Sequence, residues 1–419
     1  MKQKIVNMNN TLLNLKNEAA SLAENKNFDE ALQKLHEVAK HAPDDYENWL
    51  NIGKLYHFKG CMSDAILALQ KACALNPLSV DAINELGKAY LQISNEDEAQ
   101  KCFLKSSFLS SENAESFLYL AQIWLNRGDI QRAHNLLSAS LQKFDENPYL
   151  HNRFGVTCKY LKKLPEALLH HRRALELLIS LPPDTMVNVT KESFDNKGFE
   201  VLLFEVLTLL HKTGYKAFAC SGSLLGLVRE NGLLAHDKDI DIGVAFEQLD
   251  EIVALLSNYG WSEYKNSYGL INPRAMRHKE SGLMLDVCGH LQEESGKVIA
   301  GLWMDKIPFE ENRITEYEMF DVCEVATKHG TIWQIQNPQS YLSQLYGDWQ
   351  IPDSEFDTII MAKNLRSFSP LTKHYALDKL FTAITQQNFS KAKSIVNTCL
   401  KHEPKDTLYL SVKHYLSLT

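Results

Sequence analysis

The segment HDKDIDIGV, His236 to Val244, sets Asp237, Asp239 and Asp241 at alternate positions, with Ile240, Ile242 and Val244 out of phase with them. Residues two apart on a strand share a face. An extended conformation beginning this early therefore lines the acids along one side and turns the apolar residues into the core. Two carboxylates about 5 Å apart at an effective dielectric of about 20 repel by roughly 3 kcal/mol. A divalent cation removes that penalty. Without one, a carboxylate must take up a proton or find a basic neighbour. A solvated acidic turn is the plainer explanation of such a cluster, and the strict alternation with apolar residues argues against it.

Two further stretches complete the set. In CSGSLLGLVR the backbone amides of Gly222 and Ser223 fall at the start of a helix, where N–H groups and the helix dipole meet an anion such as phosphate. Taken alone, a simple glycine turn would look the same. SGLMLDVCGH alternates, with Leu283, Leu285 and Val287 on one face and Met284, Asp286 and Cys288 on the other. An acid inside an apolar strand needs a partner. Asp286 is a third metal ligand, the base for an attacking hydroxyl, or half of a buried salt bridge to Arg229 or Arg277. Cys288 and His290, with Cys220, form an alternative ligand set, but no second close ligand pair accompanies them.

The elements that must position these groups follow in order. Pro182 and Pro183 break a long helical region. A helix over about 195–212 then ends at Gly214, followed by a short apolar run, the Gly-Ser turn, a short amphipathic helix and the carboxylate strand.

Upstream, small residues recur at Ala19, Gly53, Gly87, Ala121 and Gly155, and alanine at Ala31, Ala65, Ala99, Ala133 and Ala167, always 34 residues apart. Large residues lie at matching offsets, as with Trp49, Tyr56 and Leu69 in the second unit. Turn residues recur in ENKNFDE and LNRGDIQ, and Pro43, Pro77 and Pro148 stand at or near helix ends. The period and pattern resemble the tetratricopeptide repeat. Small residues at the eighth and twentieth positions let the two helices of a unit cross closely, and no unit buries its own apolar face, so the units must stack. Five helix pairs are expected over about 11–180. A protein or peptide ligand is expected on the concave face; a scaffold that only positions the rest of the chain is the plainer alternative. Ala392 and Pro404, twelve apart, read either as a further repeat or as a plain helical hairpin.

SGSLLGLVRENGLLAHDKDIDIGV, then LDVCGH, then NPQSYLSQLYGDWQIP are similar in order and spacing to the LicD and fukutin family of the nucleotidyltransferase-like superfamily, over roughly 195–365. The resemblance maps a phosphate-binding segment onto Gly222, Ser223 and Arg229, paired metal carboxylates onto Asp239 and Asp241, the third acid onto Asp286, and an aromatic segment onto Tyr346, Gly347 and Trp349. It implies Mg²⁺- or Mn²⁺-dependent transfer of a phosphorylated alcohol, phosphocholine or a polyol phosphate, from a CDP-activated donor to a hydroxyl of a glycan acceptor. Arg229 would neutralise charge on the departing CMP. His236 and Lys238 stand where the family often has an aromatic and an acid. Lys238 points to the strand face opposite the acids, so it cannot replace a ligand.

The expected fold is multidomain: an all-α tetratricopeptide-repeat solenoid over 1–180, an α+β nucleotidyltransferase-like domain with a mixed sheet over 190–368, and a C-terminal helical hairpin over 370–419. With 44 Lys plus Arg against 52 Asp plus Glu and no run of one sign, the chain has no basic stripe for nucleic acid. The N-terminus lacks the apolar core of a signal peptide, and no stretch approaches the ~18 uninterrupted apolar residues of a membrane span. The eight cysteines show no CxxC spacing and read as reduced core thiols. These features predict a cytoplasmic protein, peripheral at most to the inner membrane face; the resemblance implies that it acts on a capsule or lipopolysaccharide-type glycan before export. The competing functions are a catalytically inactive repeat scaffold and a glycosyltransferase binding a sugar nucleotide through an acid-x-acid motif.

Overall fold

A computed structural model describes residues 2–110, 112–181, 198–234 and 237–418. Pro182, Pro183 and His236 lie outside them. The described chain divides into two compact units, Met1–Phe144 and Asp145–Thr419.

The first unit is helical. α1 (Lys2–Glu24) and α2 (Phe28–His41), α3 (Tyr46–Phe58) and α4 (Met62–Leu75), α5 (Val80–Gln92) and α6 (Glu96–Leu109), and α7 (Ala114–Asn126) and α8 (Ile130–Leu141) form antiparallel pairs. Asp45, Ser79, Asn95, Asn113 and Asp129 cap their helices by accepting backbone N–H bonds. The repeat has a simple packing rule. A Cβ added at Gly53 would sit 2.5 Å from Leu69, and one at Gly87 would sit 2.7 Å from the Phe103 ring. In each case the large residue lies sixteen positions on. Where the small residue is alanine, as at Ala19 and Ala121, Leu35 and Leu137 stand at the same sixteen-residue spacing, and all four are buried. Gly87→Ala is therefore expected to overpack the crossing and lower stability by about 1–3 kcal/mol, read as a fall in the thermal midpoint; an unchanged midpoint would contradict this crossing geometry.

The second unit begins with the fifth helix pair, α9 (Pro148–Tyr160) and α10 (Leu164–Ser180). The sequence boundary near 180 therefore cuts between elements that the fold keeps together. Leu164 packs with Leu270, Met304 and Leu371, and Arg172 pairs with Asp406 at 2.8 Å. Gly155 repeats the packing rule with His171, 2.8 Å from an added Cβ.

The sheet domain follows. α11 (Phe199–Lys212), β1 (Phe218–Ala219), α12 (Ser221–Arg229) and β2 (Asp239–Ala245) come first, then α13 (Leu249–Ser257), β3 (Trp261–Glu263), β4 (Arg274–His278) and β5 (Met284–Gln292). β6 (Lys297–Leu302) and β7 (Arg313–Glu318) complete the sheet, and β8 (Val322–Thr327) and β9 (Gly330–Ile335) form a separate hairpin. The sheet is mixed: its order is β1-β2-β5-β4-β3, only β2 and β5 run parallel, and β6 and β7 extend from the far end of β5. Ile240, Ile242, Leu285 and Val287 are fully buried in one core with α11, as the alternation requires.

After α14 (Pro338–Tyr346) and the short α15 (Thr358–Met361), the chain ends in α16 (Pro370–Thr385), α17 (Phe389–His402) and α18 (Thr407–Leu418). The predicted hairpin is thus three helices. They stack on α10, with Ala174, Leu175 and Leu178 buried against Leu377, Leu380 and Phe381. Stacking on an existing repeat is what lets so short a helical segment bury its apolar face.

This seam contains buried histidines. His171 Nδ1 lies 2.7 Å from Asn152 Oδ1, and its ring centre is 4.7 Å from that of His374. Burial pushes His171 down to about 4, and burial followed by the charge of His171 pushes His374 well below its ordinary value. Unfolded imidazoles titrate near ~6.5. Between that pH and the lower folded value the unfolded chain binds more protons, so stability falls as pH drops through the window. For His171 the shift corresponds to about 3 kcal/mol. Thermal midpoints should decline from pH 6.5 toward pH 4 more steeply in the wild type than in His171→Gln; parallel slopes would contradict the assignment.

Candidate functional site

β2 and β5 place the acids by register. Asp241 is paired across the parallel ladder with Asp286, and Asp239 with Met284. Side chains at paired positions of neighbouring strands share a face, so Asp239, Asp241 and Asp286 stand together above the buried Ile240, Ile242 and Leu285. Asp237 lies before the strand, where its N–H donates to Leu234 O at 3.1 Å. Its carboxylate nonetheless joins the others. A Cβ built on Gly222 would be 3.2 Å from Asp237 Oδ2 and 3.4 Å from Asp241 Oδ2.

α12 comes up against this group. The chain enters it through Ser221 at φ 44°, in the left-handed region. Gly222 N–H then donates to Asp241 Oδ2 at 3.1 Å, and Asp241 N–H donates to the buried Ser223 hydroxyl at 2.8 Å. Gly222 and Ser223, read in the sequence as a phosphate cradle, are here the two groups that fix Asp241. The motif's second glycine has a separate duty. A Cβ at Gly226 would lie 2.7 Å from Gly232 O and 2.9 Å from Leu234 N. α12 thus packs backbone to backbone on the loop that leads into β2.

Burial, followed by the charge of Asp239, pushes Asp241 well above the usual carboxylate range. Asp239 is raised by burial and only partly relieved by Lys238, which lies just before the strand and is exposed. Asp286 is pushed up to about 7 by burial and by Asp239. Among the described residues no ion pair reaches Asp286. Arg229 instead pairs with Glu230 at 3.1 Å and donates to Trp349 O at 3.2 Å, while the exposed Arg277 lies beside Gly282. His290 has Nε2 3.1 Å from Tyr341 OH and Nδ1 3.0 Å from Cys288 O. Both ring nitrogens are engaged, which removes it from a Cys220–Cys288–His290 metal set.

These acids line a cavity of about 820 Å³ with Gly222, Arg229, Tyr346 and Trp349 on its walls. Gly347 turns the chain between those two aromatics at φ 75°. A neighbouring loop is tied to the helical pair. Ser267 and Tyr268 have φ of 51° and 57°, and the buried Lys159 of α9 donates to Tyr268 O at 2.8 Å. Burial holds Lys159 down to about 8.

The donor chemistry fits a hard cation. Among the described residues no three His, Cys, Asp or Glu side chains are drawn together as a ready-made metal shell. A magnesium-type site needs only one or two carboxylates, with substrate phosphates and water completing about six oxygens. Asp239 and Asp241, with Asp286 alongside, supply such donors, and among the described residues no cation forms an ion pair with them.

Residues 214–332 match the model of the LicD/FKTN/FKRP nucleotidyltransferase domain. Residues 17–80 match a tetratricopeptide repeat model. The LicD match includes Gly222, Ser223, Arg229, Asp239, Asp241 and Asp286; Tyr346, Gly347 and Trp349 lie beyond it. A curated relative, the BBSome complex member BBS4 homolog of Drosophila melanogaster, is 25% identical over 198 residues, 44% of this chain and 40% of that protein. The chain thus spans under half the length of that relative. Among solved structures, the MamA protein is 22% identical over 40% of this chain and 91% of its own, with a TM-score of 0.36. A thermophilic TPR protein in Thermus thermophilus is 18% identical over 40% and 91%, with a TM-score of 0.34. Among the described residues, no helix is long and apolar enough to cross a membrane.

The sequence reading passed over Arg313, Lys363 and Lys379, which also line the cavity. The alternation of Arg313, Thr315 and Tyr317 in RITEYE is the one local sign that Arg313 shares a strand face with buried polar groups.

Proposed function

We propose that the sheet domain transfers a phosphorylated alcohol, such as phosphocholine or a polyol phosphate, from a CDP-activated donor to a hydroxyl of a glycan, with the repeat unit docking a protein or peptide partner. The observation that carries this reading is the row of half-buried carboxylates at Asp239, Asp241 and Asp286, held on one face of two parallel strands inside a cavity large enough for a nucleotide. Asp239 and Asp241 would hold Mg²⁺ or Mn²⁺, which when bound would offset charge on the donor pyrophosphate. Gly222 and Ser223 keep Asp241 aimed into the cavity and present the start of α12 toward the donor phosphates. Asp286, with its affinity for protons raised toward neutrality, is suited to take the proton of the acceptor hydroxyl. Arg229, on the cavity wall, would meet charge developing on the departing CMP.

A thermal-shift screen of CDP-choline, CDP-ribitol, CDP-glycerol and UDP-sugars, each with and without Mg²⁺, tests this reading. Selective, Mg²⁺-dependent stabilisation by one CDP compound is expected. Selective stabilisation by a UDP-sugar would favour the glycosyltransferase alternative, and no response to any nucleotide would favour the scaffold.

A further inference from the structure

Besides the three strand aspartates, the cavity is lined by Arg313, Lys363 and Lys379, with Asp348, Asp353 and Asp357 among them. Arg313 of β7 is 6% exposed, yet its guanidinium meets only neutral acceptors: Ile359 O at 3.1 Å, Thr315 Oγ1 at 3.5 Å, and Thr358 O. Among the described residues no ion pair reaches it. Asp357, the acid whose charge acts on it, is committed elsewhere. Its Oδ2 takes Lys379 Nζ at 2.6 Å, and its Oδ1 caps Ile359 N and Ile360 N at 3.1 and 3.3 Å. Lys363 also lines the cavity, exposed and beside Gly347. A buried cation whose neighbouring acid is already paired with a lysine carries a desolvation cost that an anion in the cavity would offset.

The topology keeps Arg313 apart from the acids. β7 lies two strands over from β5, with β6 between. The ladder between β5 and β6 is confined to Leu291–Ile299 and Gln292–Val298. Toward Asp286 and Leu302 these strands carry no ladder, and both residues line the cavity there. A ligand whose pyrophosphate lies at the aspartates therefore has room to place another group against Arg313.

We infer that Arg313 forms an oxyanion subsite, taking a phosphate or carboxylate group of the transferred alcohol or of the acceptor. A guanidinium with free N–H donors suits such a group. A quaternary ammonium such as choline would meet like charge there. The subsite's place in catalysis rests on the transferase reading. Its existence does not, because it can be probed without metal.

Inorganic phosphate is titrated into the full-length protein in EDTA, with the thermal midpoint as readout. The wild type should gain about 2–4 °C at saturation, and choline should give no gain. Arg313→Gln should lose the response and Arg313→Lys should weaken it, while the Asp239→Asn/Asp241→Asn double variant keeps it. That last arm separates failure of the subsite from failure of the metal reading. Absence of a wild-type response, or an equal response in folded Arg313→Gln, overturns the subsite. Should neither Arg313 variant fold, ¹⁵Nε signals of arginine-labelled wild type carry the test: a phosphate-shifted signal from a slowly exchanging guanidinium supports the subsite, and shifts confined to fast-exchanging arginines overturn it. The source is then read by adding the CDP-alcohol and Mg²⁺. Loss of the phosphate response assigns the subsite to the transferred group, and its persistence assigns it to the acceptor.

Discussion

Asp241→Asn is expected to lower metal-dependent transferase activity on the order of 10²–10³-fold, with Asp239→Asn close behind. The double variant should be little worse than either single one, since groups serving one ion are not additive. Stability should move the other way. The amide oxygen introduced by Asp241→Asn can still accept the Gly222 N–H, and the change removes one charge from a row that has no described counter-ion. Carboxylates one strand spacing apart repel by about 3 kcal/mol at an effective dielectric near 20, so the metal-free variants should melt higher than the metal-free wild type. A thermal midpoint in EDTA checks the sign. A large loss of stability would instead make Asp241 a structural anchor.

Gly226→Val is expected to be the most damaging single change outside the acids. Its Cβ would lie 2.7 Å from Gly232 O and 3.0 Å from Leu233 Cα, and backbone cannot swing aside as a long side chain can. The extra bulk must push α12 off the loop that enters β2, displacing Gly222 and Ser223 from Asp241. Overpacking of this kind costs about 1–3 kcal/mol or more, and activity should fall with it because the acids lose their alignment. Thermal midpoint and turnover measured together check this. Unchanged values in both would mean that α12 does not fix the acids.

Much of this site was legible because strand phase is local. Alternation over Ile240–Val244 and Leu283–Val287 separated core residues from acids, and the structure keeps that separation. Asp237 shows where phase stops. Its place beside Asp241 comes from a turn before the strand and from the approach of Gly222, neither of which a period of two encodes. The repeat was legible for a similar reason, since a 34-residue period marks which small residues sit at the crossings, although not that Phe103 would face Gly87. The grouping of α9 and α10 with the second unit was not, because it depends on Leu164 and Arg172 meeting residues more than a hundred positions on. The third C-terminal helix also escaped notice: Ala392 and Pro404 mark one pair, and α18 gains its burial only by stacking. Arg313 was hidden most completely. Nothing local shows that Asp357 would be taken by Lys379, or that β6 would lie between Arg313 and the acids.

Mn²⁺ binding followed by electron paramagnetic resonance tests the central claim most directly, because the signal of the free hydrated ion needs neither donor nor acceptor to be known. Titrated with CDP present and read against CDP alone, the wild-type protein should deplete the free signal further until one site is filled, and the Asp239→Asn/Asp241→Asn double variant should leave it at the level set by CDP alone. Equal depletion by both proteins would contradict the account, since the paired carboxylates of β2 would then not be the metal site on which the transferase reading depends.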